Sequence, residues 1–142
     1  GRLVELDPTL AARARGAIAR AGIRGLEVRE GDAGVTTAFA GAAPADLVLV
    51  CGVFGNITDE DIRGTIRALP SMCAEGATVI WTRHRRPPDL TPAIRRWFRA
   101  AGFEHAAFVK VPDSQGSVGV ERFVGTPVPF EAGRRLFEFV DS

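Results

Sequence analysis

The chain has 142 residues, enough for one domain with a real core; 46% are hydrophobic and 25% charged, the globular norm, which excludes an intrinsically disordered chain. A net charge of +1 gives no electrostatic case for a dedicated nucleic-acid or membrane-surface binder. No apolar run approaches membrane-spanning length, and two cysteines, Cys51 and Cys73, make neither a disulfide framework nor a metal-ligand spacing; a reducing, cytoplasmic setting fits and no metal is expected.

The first element reads as a short strand over residues 2–6 that carries Glu5 near its end. Asp7 then suits a helix N-cap and Pro8 a first helical position. Leu10, Ala14, Ala17, Ile18 and Ala21 recur at helical spacing, and Gly22 supplies a stop, so a helix is expected over about residues 8–21. Leu26, Glu27 and Val28 read as a second strand. Gly31, Asp32, Ala33 and Gly34 form a turn, followed by a short helix around 34–40. Asp46 to Cys51 is a near-continuous apolar run, the pattern of a strand buried on both faces of a parallel sheet, with Cys51 and Cys73 as small core residues.

Gly52 to Asn56 read as a loop, and Thr58 as the cap of a helix whose first turn is Asp59, Glu60 and Asp61. Ile62, Ile66 and Leu69 are its buried stripe, and Pro70 ends it. Residues 77–81 form the next strand. A loop over 82–90 carries Arg83, His84, Arg85 and Arg86. Thr91 and Pro92 repeat the cap-then-proline start, with Ile94, Trp97, Phe98 and Ala101 facing inward and Gly102 as the stop. Segments 104–111 and 117–124 are joined by a link too short for a crossover helix, so they pair antiparallel. The tail, Arg135 to Val140, reads as an edge strand with Phe137 and Phe139 on one face. The whole is an α/β, Rossmann-like domain with a mostly parallel sheet, helices on both faces and an antiparallel C-terminal hairpin.

In open α/β sheets ligands bind at the carboxyl ends of the strands. Three such ends carry suggestive residues: Glu5; Gly31-Asp32-Ala33; and Gly52-Val53-Phe54-Gly55-Asn56. A carboxylate at a strand tip can accept both hydroxyls of a ribose. A polar side chain one strand over can accept from an exocyclic amine, and a small-residue loop with Val53 and Phe54 can sandwich a flat ring. Together they suit an adenosine.

This order of elements resembles the class I S-adenosylmethionine-dependent methyltransferases. Val4-Glu5-Leu6-Asp7-Pro8 is similar to that family's second strand and following helix start, Glu30-Gly31-Asp32-Ala33 to the motif after its third strand, and Asp46 to Asn56 to its fourth strand and loop. The resemblance implies S-adenosylmethionine as cofactor, with Glu5 and Leu6 at the ribose, Asp32 and Ala33 at the adenine, and Cys51, Gly52, Val53 and Phe54 lining the cofactor. It places Asn56, Arg83 and His84 on the acceptor side. The family's first strand and glycine-rich turn have no counterpart after Gly1. The chain, 1–142, is therefore expected to be one N-terminally incomplete domain.

Each residue also has a plainer reading. Glu5 can be a solvated strand end, Asp32 a helix cap, Cys51 and Phe54 packing residues, Asn56 a turn residue, and Arg83 to Arg86 a solvated basic loop. His84 can serve as a general base near neutral pH. His105 reads as structural. A sulfonium is already a good leaving group, so holding donor and acceptor in line is the main task and no catalytic residue is named. The expected partner is a small-molecule acceptor, with no nucleic acid or membrane. The alternatives are a nicotinamide-dependent oxidoreductase, which shares the strand-tip acid, and a degenerate methyltransferase-like binding module without activity.

Overall fold

A computed structural model describes residues 1–140, which fall into two compact units. The first comprises Gly1–Ala42 with Glu131–Arg135, and the second Ala43–Phe130 with the residues from Leu136 onward.

In the first unit, strand β1 (Arg2–Glu5) leads through helix α1 (Pro8–Ala21) to strand β2 (Glu27–Glu30). The two strands pair parallel with Leu3 opposite Val28 and Glu5 opposite Glu30, so both carboxyl ends lie at one end of the ladder. The helix starts where the sequence dictates. The Asp7 carboxylate accepts from the backbone N–H groups of Thr9 at 2.7 Å and Leu10 at 3.2 Å, and Pro8 occupies a position whose missing N–H costs nothing. It ends at Gly22, whose φ of 66° is left-handed and favours glycine. The inward face is shifted from the expected one. Ala11 is buried and Ala14 and Ile18 are half-buried, whereas Leu10, Ala17 and Ala21 are exposed. In a helix of alanines and arginines the apolar stripe is too weak to fix its own phase.

The turn after β2 carries a 3₁₀ segment, Thr36–Phe39, where a short helix was expected. Arg2 ties it to the strand: its guanidinium pairs with Glu27 at 2.6 Å and donates to the carbonyls of Ala38 and Ala40. Thr36 Oγ1 donates to the Glu131 carbonyl and accepts from the Arg134 N–H, fixing the returning 131–135 segment.

The second unit holds strands β3 (Ala45–Val50), β4 (Cys73–His84), β5 (Phe103–Lys110) and β6 (Gly116–Phe123), with helices α2 (Asp59–Ala68) and α3 (Thr91–Ala100). The sheet order is β3-β4-β6-β5. β3 and β4 run parallel across the α2 crossover; β4–β6 and β6–β5 are antiparallel. Each of the two units thus holds one parallel β-α-β motif, and the second adds an antiparallel hairpin, the elements of the α/β, Rossmann-like plan expected from the sequence.

Aromatic rings build the core of this unit. Trp81 stacks on Phe98 at 6.1 Å and 16°, Phe54 lies 6.1 Å from Trp81, and Phe103 meets Phe98 edge-on at 5.2 Å. α2 contributes Ile62 and Ile66, and α3 contributes Ile94 and Phe98, all fully buried. Gly119 is required by this packing: a Cβ there would fall 2.1 Å from the Trp81 ring.

Four expectations fail here. β3 is not buried on both faces, since Leu47 and Leu49 are 53% and 58% exposed; β4 is its single ladder partner among the described residues. Cys51 is exposed, not a packing residue, while Cys73 is buried as expected. The N-cap of α3 is Leu90 and not Thr91, which is already helical; Asp89, one residue before the cap, accepts from the Thr91 N–H and hydroxyl. Among the described residues the tail forms no edge strand. A bridge pairs Val35 with Arg135, and further on Leu136 O accepts from Thr65 Oγ1, Glu138 N–H donates to Asp61, and Val140 N–H donates to Asn56 O.

Candidate functional site

The first unit brings Glu5, Leu6, Asp32 and Ala33 to the carboxyl ends of its two strands. Glu5 is half-buried. Its Oε1 accepts from the Asp7 N–H at 3.0 Å, and its Oε2 has no hydrogen-bond partner among the described residues. Leu6 beside it is 68% exposed; single exposed apolar side chains are ordinary on a protein surface. Asp32 is more committed. Its Oδ1 accepts from Gly34 N–H at 2.8 Å and its Oδ2 pairs with Arg135 at 2.7 Å. The Arg135 hydrogen bond, helped by that from Gly34, holds the Asp32 carboxyl below the usual range, so it is ionised at neutral pH. Its local role is thus a turn-closing one joined to an ion pair that sequence alone could not reveal.

In the second unit the parallel strands β3 and β4 both point their carboxyl ends at the 51–56 loop, with Val50 opposite Trp81. Gly52 has a φ of 72°, the left-handed region, and a Cβ there would meet nothing within 4 Å, so the backbone stands open to a ligand. Its N–H donates to Thr82 Oγ1 at 3.0 Å, and its carbonyl accepts from Asn56 Nδ2 at 2.8 Å. Val53 is half-buried. Phe54 is not available as a ring: it is fully buried in the aromatic core, and its carbonyl accepts from Arg83 Nη1. A ring on this loop that packs on adenosine is therefore not what the sequence offers; the backbone around it is.

Arg83 and His84 lie in β4 and not in a loop, because β4 continues to His84 against β6, Arg83 pairing with Ser117 and His84 with Gly116. They join Gly52, Asn56 and Arg86 around a cavity of about 360 Å³, within the range of small-molecule sites. The structure thus brings Asn56, Arg83 and His84 to one place, together with Arg86 and Thr82. Arg86 was visible as the last member of the same basic run. The His84 ring backs onto the loop, 3.5 Å from where a Gly55 Cβ would stand. Burial, then the charges of Arg83 and Arg86, lower the His84 pKa, so the imidazole is neutral at pH 7. Burial also lowers that of Arg83, opposed by Asp59 and Asp89.

One buried group went unread in the sequence. Glu121 is 1% exposed and accepts from Trp81 Nε1 at 3.2 Å, with His105 Nδ1 at 3.5 Å. Burial raises its pKa. The signal was its phase on β6, two residues from Gly119 and Phe123 on the buried face.

No protein-family model matches the chain, and no curated protein matches it in sequence. Solved structures do. An O-methyltransferase family protein from Burkholderia thailandensis superposes with a TM-score of 0.68 at 18% identity, over 87% of this chain and 43% of that one. The N-methyltransferase NodS from Bradyrhizobium japonicum, solved with S-adenosyl-L-homocysteine, gives 0.64 at 15%, over 86% and 65%. Fibrillarin from Aeropyrum pernix, solved with natively bound S-adenosyl-L-methionine, gives 0.65 at 14%, over 84% and 54%. The chain therefore spans between two fifths and two thirds of these proteins' lengths. At such identities the likeness is one of architecture, and it is consistent: this chain is built on the Rossmann-like fold of the S-adenosylmethionine-dependent methyltransferases.

Proposed function

We propose that this chain serves in methyl transfer from S-adenosylmethionine to a small-molecule acceptor. The observation that carries the reading is Glu5, a half-buried carboxylate with a free oxygen at a strand end beside exposed Leu6, in a methyltransferase fold. Those two features fit the group. Glu5 Oε2 accepts from ribose hydroxyls, and Leu6 offers an apolar face to the adenosine. Asp32 uses two of the roughly four acceptor sites of a carboxylate and keeps capacity for an exocyclic amine, with Ala33 beside it. In the second unit, Asn56, Arg83 and His84 serve the acceptor.

Bound S-adenosylmethionine supplies a methyl group on a sulfonium that already leaves well. What remains for the protein is to orient the acceptor and exclude water. The neutral imidazole of His84 is the group placed to take a proton from an acceptor that must lose one.

The test is ligand-dependent stability. S-Adenosylhomocysteine at about a hundred times its dissociation constant should raise stability by about 2.7 kcal/mol, and NADH should not. The shift is read by thermal unfolding of this chain and of a form lengthened by any coding sequence that precedes Gly1. A shift with NADH alone would favour an oxidoreductase; no shift with either ligand would remove the cofactor assignment.

A further inference from the structure

The acceptor cavity has an uneven charge. Arg83 and Arg86 line it, and no carboxylate does. Neither guanidinium has an ion-pair partner within 4 Å among the described residues. Asp59, in the first turn of α2, and Asp89, whose Oδ1 accepts from Thr91, favour the charged form of Arg83 from outside the cavity lining. Arg83 is also partly desolvated, and its Nε is buried without a partner. Its Nη1 is tied to the Phe54 carbonyl, which fixes the guanidinium in place. Two guanidinium groups at a concave site whose lining holds no carboxylate favour an anionic ligand, and a planar anion is the usual partner of a guanidinium.

The rest of the lining describes the remainder of the ligand. Val111 and Val118 give an apolar wall. Asn56 spends its Nδ2 on Gly52 O, which leaves its Oδ1 without a partner among the described residues and able to accept from a hydroxyl or amine. His84 adds a neutral imidazole.

We propose that the 360 Å³ cavity takes an anionic acceptor, a small molecule with an apolar body and a carboxylate or phosphate bound by Arg83 and Arg86, its nucleophilic hydroxyl or amine turned toward Asn56 and His84. This rests on the methyl-transfer reading only for the word acceptor; the anion site stands on the cavity itself. Methyl transfer to such a hydroxyl forms a carbon–oxygen bond as the carbon–sulfur bond breaks, leaves neutral S-adenosylhomocysteine, and passes the hydroxyl proton to His84 or water.

The experiment is an NMR titration of this chain with benzoate, phenyl phosphate and the uncharged benzamide, following the His84 ring protons, with and without S-adenosylhomocysteine. An anion bound beside His84 should raise its titration midpoint, and benzamide should leave it where it is. Either anion should bind at least tenfold more tightly than benzamide, and the tighter of the two identifies the anionic group. Arg86→Gln, an exposed residue with no structural hydrogen bond, should weaken anion binding about tenfold. Arg83→Gln should do so more strongly, and Arg67→Gln, on the last turn of α2, should not. Equal responses to benzoate and benzamide, no response to either anion, or anion binding untouched by Arg86→Gln and Arg83→Gln would overturn the proposal. Anion binding where neither this chain nor its lengthened form responds to S-adenosylhomocysteine would keep the anion site and remove the methyl-transfer reading, so the two failures are told apart.

Discussion

Single side chains decide two properties that are open to measurement. Cys73 is buried, and its thiol is pushed up to about 11 by desolvation, so almost none of it is thiolate at neutral pH. Cys51 is exposed on the strand end. Iodoacetamide on the native protein at pH 7.5 should therefore label Cys51 and spare Cys73, as read by peptide mass; labelling of Cys73 at a comparable rate would place it outside the core. Glu121 is the other case. The native state holds its proton more tightly than the unfolded chain does, because burial disfavours the carboxylate. Stability should then fall as pH rises from the ordinary carboxylate range through the raised native value, and stay lowered above it. Glu121→Gln keeps an acceptor for Trp81 Nε1 and removes that loss. Its melting temperature relative to wild type should rise between pH 4 and pH 7; an unchanged difference would mean the buried carboxylate carries no such penalty.

At the scale of elements, local chemistry was legible and partner-dependent features were not. Asp7 with Pro8, Thr58 with three acids, and Gly22 with Gly102 mark helix ends by their own backbone and side-chain preferences, and the structure uses them so. Strand ends depend on the neighbour. Thr82, Arg83 and His84 look like loop residues, yet they extend β4 because β6 continues opposite them. The same extension carries Arg83 and His84 to the cavity, from a strand and not from the expected loop. Phe137 and Phe139 alternate as a strand does, but the second is exposed and no ladder forms; that segment's hydrogen bonds go to Thr65, Asp61 and Asn56, which no local pattern announces. Gly119 is the clearest demand of one element on another. Gly119→Ala would drive a methyl into the Trp81 indole, and overpacking of this kind costs about 1–3 kcal/mol or more. Chemical denaturation should show that loss; a neutral variant would mean Trp81 can move aside freely.

For the whole molecule, the fold was readable because alternating strand and helix patterns with a short final link allow few topologies. The candidate site was readable only in part. Residue types at strand ends announced Glu5, Asp32 and Gly52, but the occupation of Asp32 by Arg135, about a hundred residues away, and the burial of the Phe54 ring are long-range facts. The architecture is shared with methyltransferases of different acceptors, so fold alone does not choose among them. The proposed function rests on the Glu5 carboxylate and on the charged cavity by β4.

The central claim is that Glu5 receives the ribose of S-adenosylmethionine, and calorimetric titration of S-adenosylhomocysteine tests it most directly. It is run on wild type and Glu5→Ala, each as this chain and as a form lengthened by any coding sequence that precedes Gly1. Loss of hydrogen bonds to a charged acceptor is worth about 1.5–3 kcal/mol, so affinity should fall roughly tenfold to a hundredfold in Glu5→Ala while the fold is kept. Equal affinity in the two proteins, or no heat of binding in any of the four, would contradict it.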